Sequence, residues 1–338
     1  MKYYAIGERT GIDGLHEGER DDPTPGPGEA SIRVIASALN RRDLALLRGF
    51  YGGAQPVDRI PLSDGAGEVI AVGPGVTDVA VGDIVISASL ERWRDGPFDP
   101  AYMQHDVGIS VDGWLAETIV RPAAALVKVP AGLDPVDAAA MTVAGGTAWQ
   151  ILVAFGGLKA GNVVLSQGTG GVSTFAVQIA RMFGATAAIT SSSTDKLEAM
   201  RAIGAGIGVN YVDTPAWGAE IARLTGGAGA DVIIETGGPA SLDQSFAAAA
   251  VNGRIGFIGS LAGPADKAPN LFALMGKNLV LKGIASASRA MLVELVRAYA
   301  ANGVKPVIGA RFGFADAPAA FAALAANAVV GKVVIEHR

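Results

Sequence analysis

The chain of 338 residues has no cysteine. Disulfides, thiolate nucleophiles, iron–sulfur clusters and cysteine-ligated zinc are thereby excluded. Histidine is almost as scarce: His16, His105 and His337 are the full set. A multi-histidine metal centre would need nearly all of them. Charged residues make up 17% of the chain, against a usual share of about 25%. The net charge of −5 argues against a broad nucleic-acid or anionic-membrane surface, so neither partner is expected. No uninterrupted apolar run approaches the roughly 18 residues that suggest a membrane span. Met1-Lys2-Tyr3-Tyr4-Ala5-Ile6-Gly7-Glu8 carries no basic-then-apolar leader pattern, and a soluble, cytoplasmic protein is the expectation.

What is abundant is apolar surface, 50% of residues, and glycine, 46 of 338. The glycine share is about twice the usual ~7%. It is spread along the chain, which indicates turns and close backbone approaches. The length suggests about two domains. Residues 31–39, 67–73, 82–87 and 115–120 are short strand candidates, separated by glycine and proline. They suggest a small barrel or sandwich over 1–124. Residues 88–113 are a long loop, functional or mobile. After Pro130 the rhythm changes. Residues 134–152 carry helix formers. Strand candidates at 162–166, 186–190, 207–210, 231–235, 254–258 and 279–282 then alternate with helical segments at 172–183, 195–203, 215–224, 241–250 and 271–275. Parallel neighbours need such crossovers, so the fold class is α/β with a doubly wound Rossmann sheet over 125–289. Residues 290–338 break the rhythm and are expected to complete the first domain.

The stretch Val163-Val164-Leu165-Ser166-Gln167-Gly168-Thr169-Gly170-Gly171-Val172-Ser173 runs from an apolar strand through glycines into an apolar helix. Glycines permit a tight turn and close backbone approach, and a helix N-terminus supplies free N–H groups to a pyrophosphate. Ser173 stands at the third glycine position of G-x-G-x-x-G, but the strand–turn–helix context supports a dinucleotide site. The second strand ends Thr190-Ser191-Ser192-Ser193-Thr194-Asp195-Lys196. The acid that would accept from the ribose diol of NAD is missing. Hydroxyls and a cation suit a 2′-phosphate, so NADP is preferred over NAD. The same residues also read as a helix cap, with Thr194 capping and Asp195 in the first turn.

These segments resemble the medium-chain dehydrogenase/reductase superfamily, and within it the zinc-free quinone oxidoreductase-like and zinc-type alcohol dehydrogenase-like members. The markers stand in order: Ala38-Leu39-Asn40-Arg41-Arg42-Asp43-Leu44, Pro61-Leu62-Ser63-Asp64-Gly65-Ala66-Gly67-Glu68-Val69, Val81-Gly82-Asp83, Gly113-Trp114-Leu115-Ala116-Glu117, Ala144-Gly145-Gly146-Thr147, the glycine turn, Asn210-Tyr211 and Gly331-Lys332-Val333-Val334-Ile335. The resemblance implies a GroES-like catalytic domain with an inserted Rossmann domain, an oxidoreductase, and a homodimer. It implies Gly168, Thr169, Gly170, Gly171, Val172 and Ser173 at the pyrophosphate, and Ser191, Ser192, Lys196 and Tyr211 at the 2′-phosphate. Thr236, Gly237, Ile258, Gly259 and Ser260 would border the cofactor crevice, Lys332 a cofactor phosphate, and Asn40 the nicotinamide. In the zinc alcohol dehydrogenases a cysteine stands where Asn40 stands and a His-Glu pair where Ser63-Asp64 stands. The second zinc loop carries four cysteines, and residues 91–110 carry none. Amide and hydroxyl cannot replace thiolate and imidazole, so no zinc is expected.

Without a metal, hydrogen-bond donors must polarise the acceptor oxygen: Asn40, Arg41 or Arg42, and Tyr51. Quinones, enones and related apolar carbonyls are reactive enough for that. Asn40 reads equally as the cap of a helix over 41–47. Trp93, Phe98, Tyr102 and Met103 either wall a substrate pocket or stabilise their own loop. The alternatives are a dinucleotide-binding regulatory or structural protein without turnover, and an alcohol dehydrogenase.

Overall fold

The computed structural model describes residues 1–8, 10–50 and 58–337. They form two compact units, Met1–Gly146 with Ser286–Arg338, and Thr147–Ala285. In chain order, the first unit contains β1 (Lys2–Ile6), β2 (Leu15–Glu19), β3 (Glu29–Ala38), helix α1 (Arg41–Leu47), β4 (Asp64–Val72), β5 (Ile84–Ser87), β6 (Thr118–Pro122), β7 (Leu126–Lys128) and α2 (Pro135–Ala139). Helix α3 (Val143–Trp149) carries the chain into the second unit. That unit contains β8 (Val163–Gln167), α4 (Gly171–Met182), β9 (Thr186–Ser191), α5 (Thr194–Ala202), β10 (Ile207–Asn210), α6 (Trp217–Leu224), β11 (Ala230–Glu235), α7 (Leu242–Ala248), β12 (Ala249–Phe257), α8 (Phe272–Gly276) and β13 (Val280–Gly283). The first unit resumes with α9 (Arg289–Asn302), β14 (Ile308–Gly313), α10 (Ala317–Ala325) and β15 (Lys332–Glu336).

The sheet of the first unit runs β14-β15-β3-β4-β5-β7, with β6 also on β3. β14 and β15 are parallel, and the other pairs are antiparallel. The C-terminal segment therefore returns to the first sheet. Its core gathers Ile32, Leu39, Leu62, Trp114, Phe321, Val333 and Ile335. Gly65 is required there, because a Cβ would lie 2.4 Å from the Trp114 ring. The division at 124 and 289 suggested by the sequence rhythm falls at 146 and 285 in the compact units. One reason is that β7 pairs with β5 and so stays with the first sheet.

The second unit holds a wholly parallel sheet in the order β10-β9-β8-β11-β12-β13. Counted within the unit this is 3-2-1-4-5-6, the order of the doubly wound dinucleotide-binding sheet. Leu165, Ala188, Ile233 and Ile255 from four of these strands share one core with Trp217 and Phe246. The helix expected over 134–152 is broken into α2, α3 and a π-helical turn at Gln150–Phe155. The Asp64 carboxylate accepts the Val143 N–H at 2.9 Å, which starts a new helix at that point. Among the described residues, no helix is long and apolar enough to cross a membrane.

Candidate active site

One polar cluster of the first unit arises from sheet register. Ala38 at the end of β3 pairs with Asp64 on one side and with Val334 on the other. Asn40 follows two residues later as the N-cap of α1, and Lys332 precedes Val334 by two. The Lys332 ammonium donates to Asp64 Oδ2 at 2.8 Å and to Asn40 Oδ1 at 2.7 Å. Lys332 and Asp64 are both buried. An ammonium only donates, so the Asn40 atom facing it has to be the carbonyl oxygen. The Asn40 Nδ2 group is then turned away; it is buried and has no hydrogen-bond partner. A buried donor left unmade costs about 1–3 kcal/mol.

Asp43, one turn into α1, accepts the Asn40 backbone N–H at 2.6 Å. Burial pushes its carboxyl up to about 7, against the opposing pull of the Arg42 guanidinium. Arg42 itself donates to both oxygens of Asp106, at 3.0 and 2.8 Å, and to Ser63 Oγ. The Ser63 hydroxyl in turn donates a hydrogen bond to the Val107 carbonyl at 2.6 Å. Leu62, just before Ser63, has φ +74°. Such a conformation costs about 1–3 kcal/mol and persists only where the surroundings enforce it. Here Trp114 N–H grips the Leu62 carbonyl at 2.8 Å.

The other expected catalytic residues do not join this cluster. The Arg41 guanidinium is bonded to Asn327 at the surface. Tyr51 lies outside the described residues. Lys332, expected at a cofactor phosphate, is instead buried and engaged by Asp64 and Asn40. In the 88–113 loop, Trp93 is buried and stacks on Tyr102 with centroids 6.2 Å apart, and Phe98 meets it edge-on at 5.5 Å. The Trp93 indole N–H donates to Gly96 O at 3.0 Å. These rings hold their own loop, and Met103 is exposed.

The second unit supplies the glycine turn. Gly168 has φ +79°, and apart from the adjoining residues no heavy atom lies within 4 Å of where a Cβ at Gly168 or Gly170 would stand. The space over the turn is therefore open, beside the N-terminus of the twelve-residue α4. Ser173, at the third glycine position, is buried, bonds the Ser166 hydroxyl at 2.9 Å and donates to Gln167 O at 2.9 Å. It knits helix to strand where glycine would only allow close contact. Gln167 and Glu235 brace the turn after β11. Gln167 Oε1 accepts from Thr236 N and Gly237 N at 3.1 and 2.9 Å, and its amide donates to buried Glu235 at 2.7 Å. Glu235 also accepts from Gly238 N and from the Ser241 and Ser245 hydroxyls. Sequence reasoning missed this bracing, although polar residues ending two buried strands are a usable signal. Thr236, Gly237, Ile258, Gly259 and Ser260 follow the carboxyl ends of β11 and β12, joined by the Leu261 N–H to Thr236 O bond of 3.0 Å. At the end of β9, Ser193 rather than Thr194 caps α5, accepting Lys196 N–H at 3.3 Å. Ser191 Oγ accepts Ser193 N–H at 3.2 Å, whereas Ser192 is exposed. Tyr211 bridges its N–H to Ser191 O at 3.0 Å and is exposed.

A family model described as the alcohol dehydrogenase GroES-like domain matches residues 26–131, and one described as zinc-binding dehydrogenase matches residues 171–301. A zinc-type alcohol dehydrogenase-like protein of Schizosaccharomyces pombe is 35% identical over 345 residues, covering 99% of each chain. The chain belongs to the medium-chain dehydrogenase/reductase superfamily. A solved structure described as an alcohol dehydrogenase from Sinorhizobium meliloti 1021 superposes with a TM-score of 0.92 at 38% identity, covering 99% of both chains. A mycobacterial protein complexed with NADPH superposes with a TM-score of 0.82 at 27% identity over the whole of both chains. This superfamily member is an oxidoreductase of a nicotinamide dinucleotide-dependent family, with a GroES-like domain and a Rossmann sheet. The open turn at Gly168 and Gly170 fits a dinucleotide pyrophosphate. Zinc does not fit. Of the three ligand positions, Asn40 and Asp64 are turned onto the Lys332 ammonium and Ser63 onto the Arg42 guanidinium. Zinc needs anionic or imidazole donors free to close on it, and a cation already at each of them opposes that.

Proposed function

We propose that this chain is an NADPH-dependent reductase, acting without a metal, that delivers hydride to a quinone, an enone or a related apolar carbonyl. The observation that carries the reading is the Asn40 side chain, whose Oδ1 is held by Lys332 and whose Nδ2 is a buried donor without a partner. A preorganised donor of this kind stabilises the negative charge that grows on an acceptor oxygen. The bound dinucleotide supplies the hydride. Gly168, Gly170 and the start of α4 hold its phosphates. Ser192 and Lys196 favour a 2′-phosphate, and the NADPH complex of the mycobacterial relative supports the same choice. Simple alcohols fit less well, since their oxidation needs a base and, among the described residues, the carboxyls beside Asn40 are engaged, Asp64 by Lys332 and Asp43 by the Asn40 backbone N–H.

The chain is further proposed to act as a homodimer joined through β13. That strand ends the sheet of its unit, with Val280 exposed on it and Phe272 and Met275 exposed on α8.

The test is NADPH oxidation with a panel of benzoquinones, naphthoquinones, enones and simple aldehydes, beside NADP+ reduction with the matching simple alcohols. Turnover confined to the conjugated acceptors is expected. Turnover confined to simple alcohols would defeat the reading. Binding of NADPH with no acceptor reduced would favour a regulatory protein instead.

A further inference from the structure

Asn40 can present its amide N–H groups in only one of two orientations, and the structure shows what selects between them. Lys332 Nζ lies 2.7 Å from Asn40 Oδ1 and has no acceptor to offer. Flipping the amide would set N–H groups against an ammonium. Lys332 is in turn held by Asp64 at 2.8 Å, and Asp64 is anchored through its second oxygen to the Val143 N–H. All of these contacts lie within the first unit.

We propose that Lys332 is a positioning residue, the middle member of a buried Asp64–Lys332–Asn40 chain that aims and strengthens the Asn40 donor toward the acceptor oxygen. The inference rests on the proposed reductase reading. Aiming follows from the fixed carbonyl. Strengthening follows because an amide whose oxygen accepts from a cation carries more positive charge on its N–H groups; hydrogen bonds in a chain polarise one another. The chain thus sets the Lys332 ammonium directly behind the Asn40 donor, where zinc-dependent members of the superfamily use an ion. No atom of Lys332 need touch substrate or cofactor. Its role differs in kind from the phosphate contact that the Gly331-Lys332 sequence suggests.

Removing Lys332 alone leaves Asp64 buried and unpaired, which threatens folding. The informative variant is therefore Lys332→Met with Asp64→Asn, which keeps an acceptor for the Val143 N–H. Lys332→Arg keeps the cation. The first measurement is independent of turnover: the Asn40 side-chain amide resonances in protein labelled with 15N-asparagine, assigned by their loss in Asn40→Ala. They should hold their position in Lys332→Arg and move in the double variant. The second measurement is NADPH affinity by fluorescence, alongside kcat and KM for an enone. NADPH affinity and the enone KM should stay within about twofold, while kcat falls roughly ten- to hundredfold in the double variant, up to the loss seen when one such donor is removed. Lys332→Arg should recover most of kcat. Unmoved amide resonances or an unchanged kcat would overturn the proposal. NADPH affinity falling in step with kcat would overturn it as well, by restoring the phosphate role. Resonances that move in the double variant while the wild-type protein reduces no acceptor would overturn the reductase reading and leave the amide lock in place.

Discussion

Asp43 offers a test of the buried cluster that needs no substrate. Its carboxyl is fully enclosed, and burial lifts it to about 7 from an ordinary 3.8. The sign follows from proton binding. Between about pH 4 and pH 7 the unfolded chain carries an ionised Asp43, whereas the folded chain keeps it protonated. Folding then takes up a proton, so stability falls as pH rises through that window. One pKa unit corresponds to about 1.4 kcal/mol. From pH 5 to pH 7 the contribution of Asp43 should therefore shrink by roughly 2 kcal/mol. Asp43→Asn keeps an acceptor for the Asn40 N–H and removes the titration. The assay is urea unfolding of both proteins from pH 5 to pH 8, read as the difference between them so that other titrating groups cancel. Relative to the variant, the wild type should lose stability up to about pH 7 and then level off, since the carboxylate is ionised in both states. Parallel curves across the whole range would show that Asp43 is not the buried acid described, and the packing around Asn40 would need revision.

Lys196→Ala should weaken NADPH about ten- to hundredfold, because a charged hydrogen bond contributes roughly 1.5–3 kcal/mol. NADH should barely respond in the same titrations, and equal loss for both would limit Lys196 to a folding role. Asp106→Asn leaves Arg42 without its bidentate partner and should destabilise the first unit by about 3–5 kcal/mol in chemical denaturation; a change under 1 kcal/mol would mean the pair is solvated. Sedimentation should give a dimer at micromolar concentration, and Phe272→Glu with Val280→Lys should shift it to a monomer. A monomeric wild type removes the edge-strand assembly.

The local features of the fold and the site are legible in sequence. Val163 to Gln167 is a buried apolar run directly followed by the glycine turn and the apolar face of α4, and each signal lies within twenty residues of the next. The parallel, doubly wound sheet follows from repeated strand–helix alternation. What stayed hidden depended on distant partners. Lys332 finds Asp64 from 268 residues away, and only the pairing of β15 and β4 on either side of β3 brings them together. Val143 starts its helix on a carboxylate 79 residues upstream, so no cap is visible near it in the sequence. β2 is hidden in the sequence because Leu15-His16-Glu17-Gly18-Glu19 has a single apolar residue, and its pairing with β1 makes it a strand. Ser191 to Thr194 offers four hydroxyls in succession, each a plausible cap, and only the turn geometry selects Ser193.

The claim that hydride transfer here proceeds without zinc is tested most directly by one rate. The protein is dialysed against a strong chelator, shown by elemental analysis to hold well under one zinc per chain, and assayed for NADPH oxidation with the best quinone or enone of the panel. The full rate of the untreated protein is expected, with no gain on adding zinc. Loss of activity on chelation, restored by stoichiometric zinc, would contradict it.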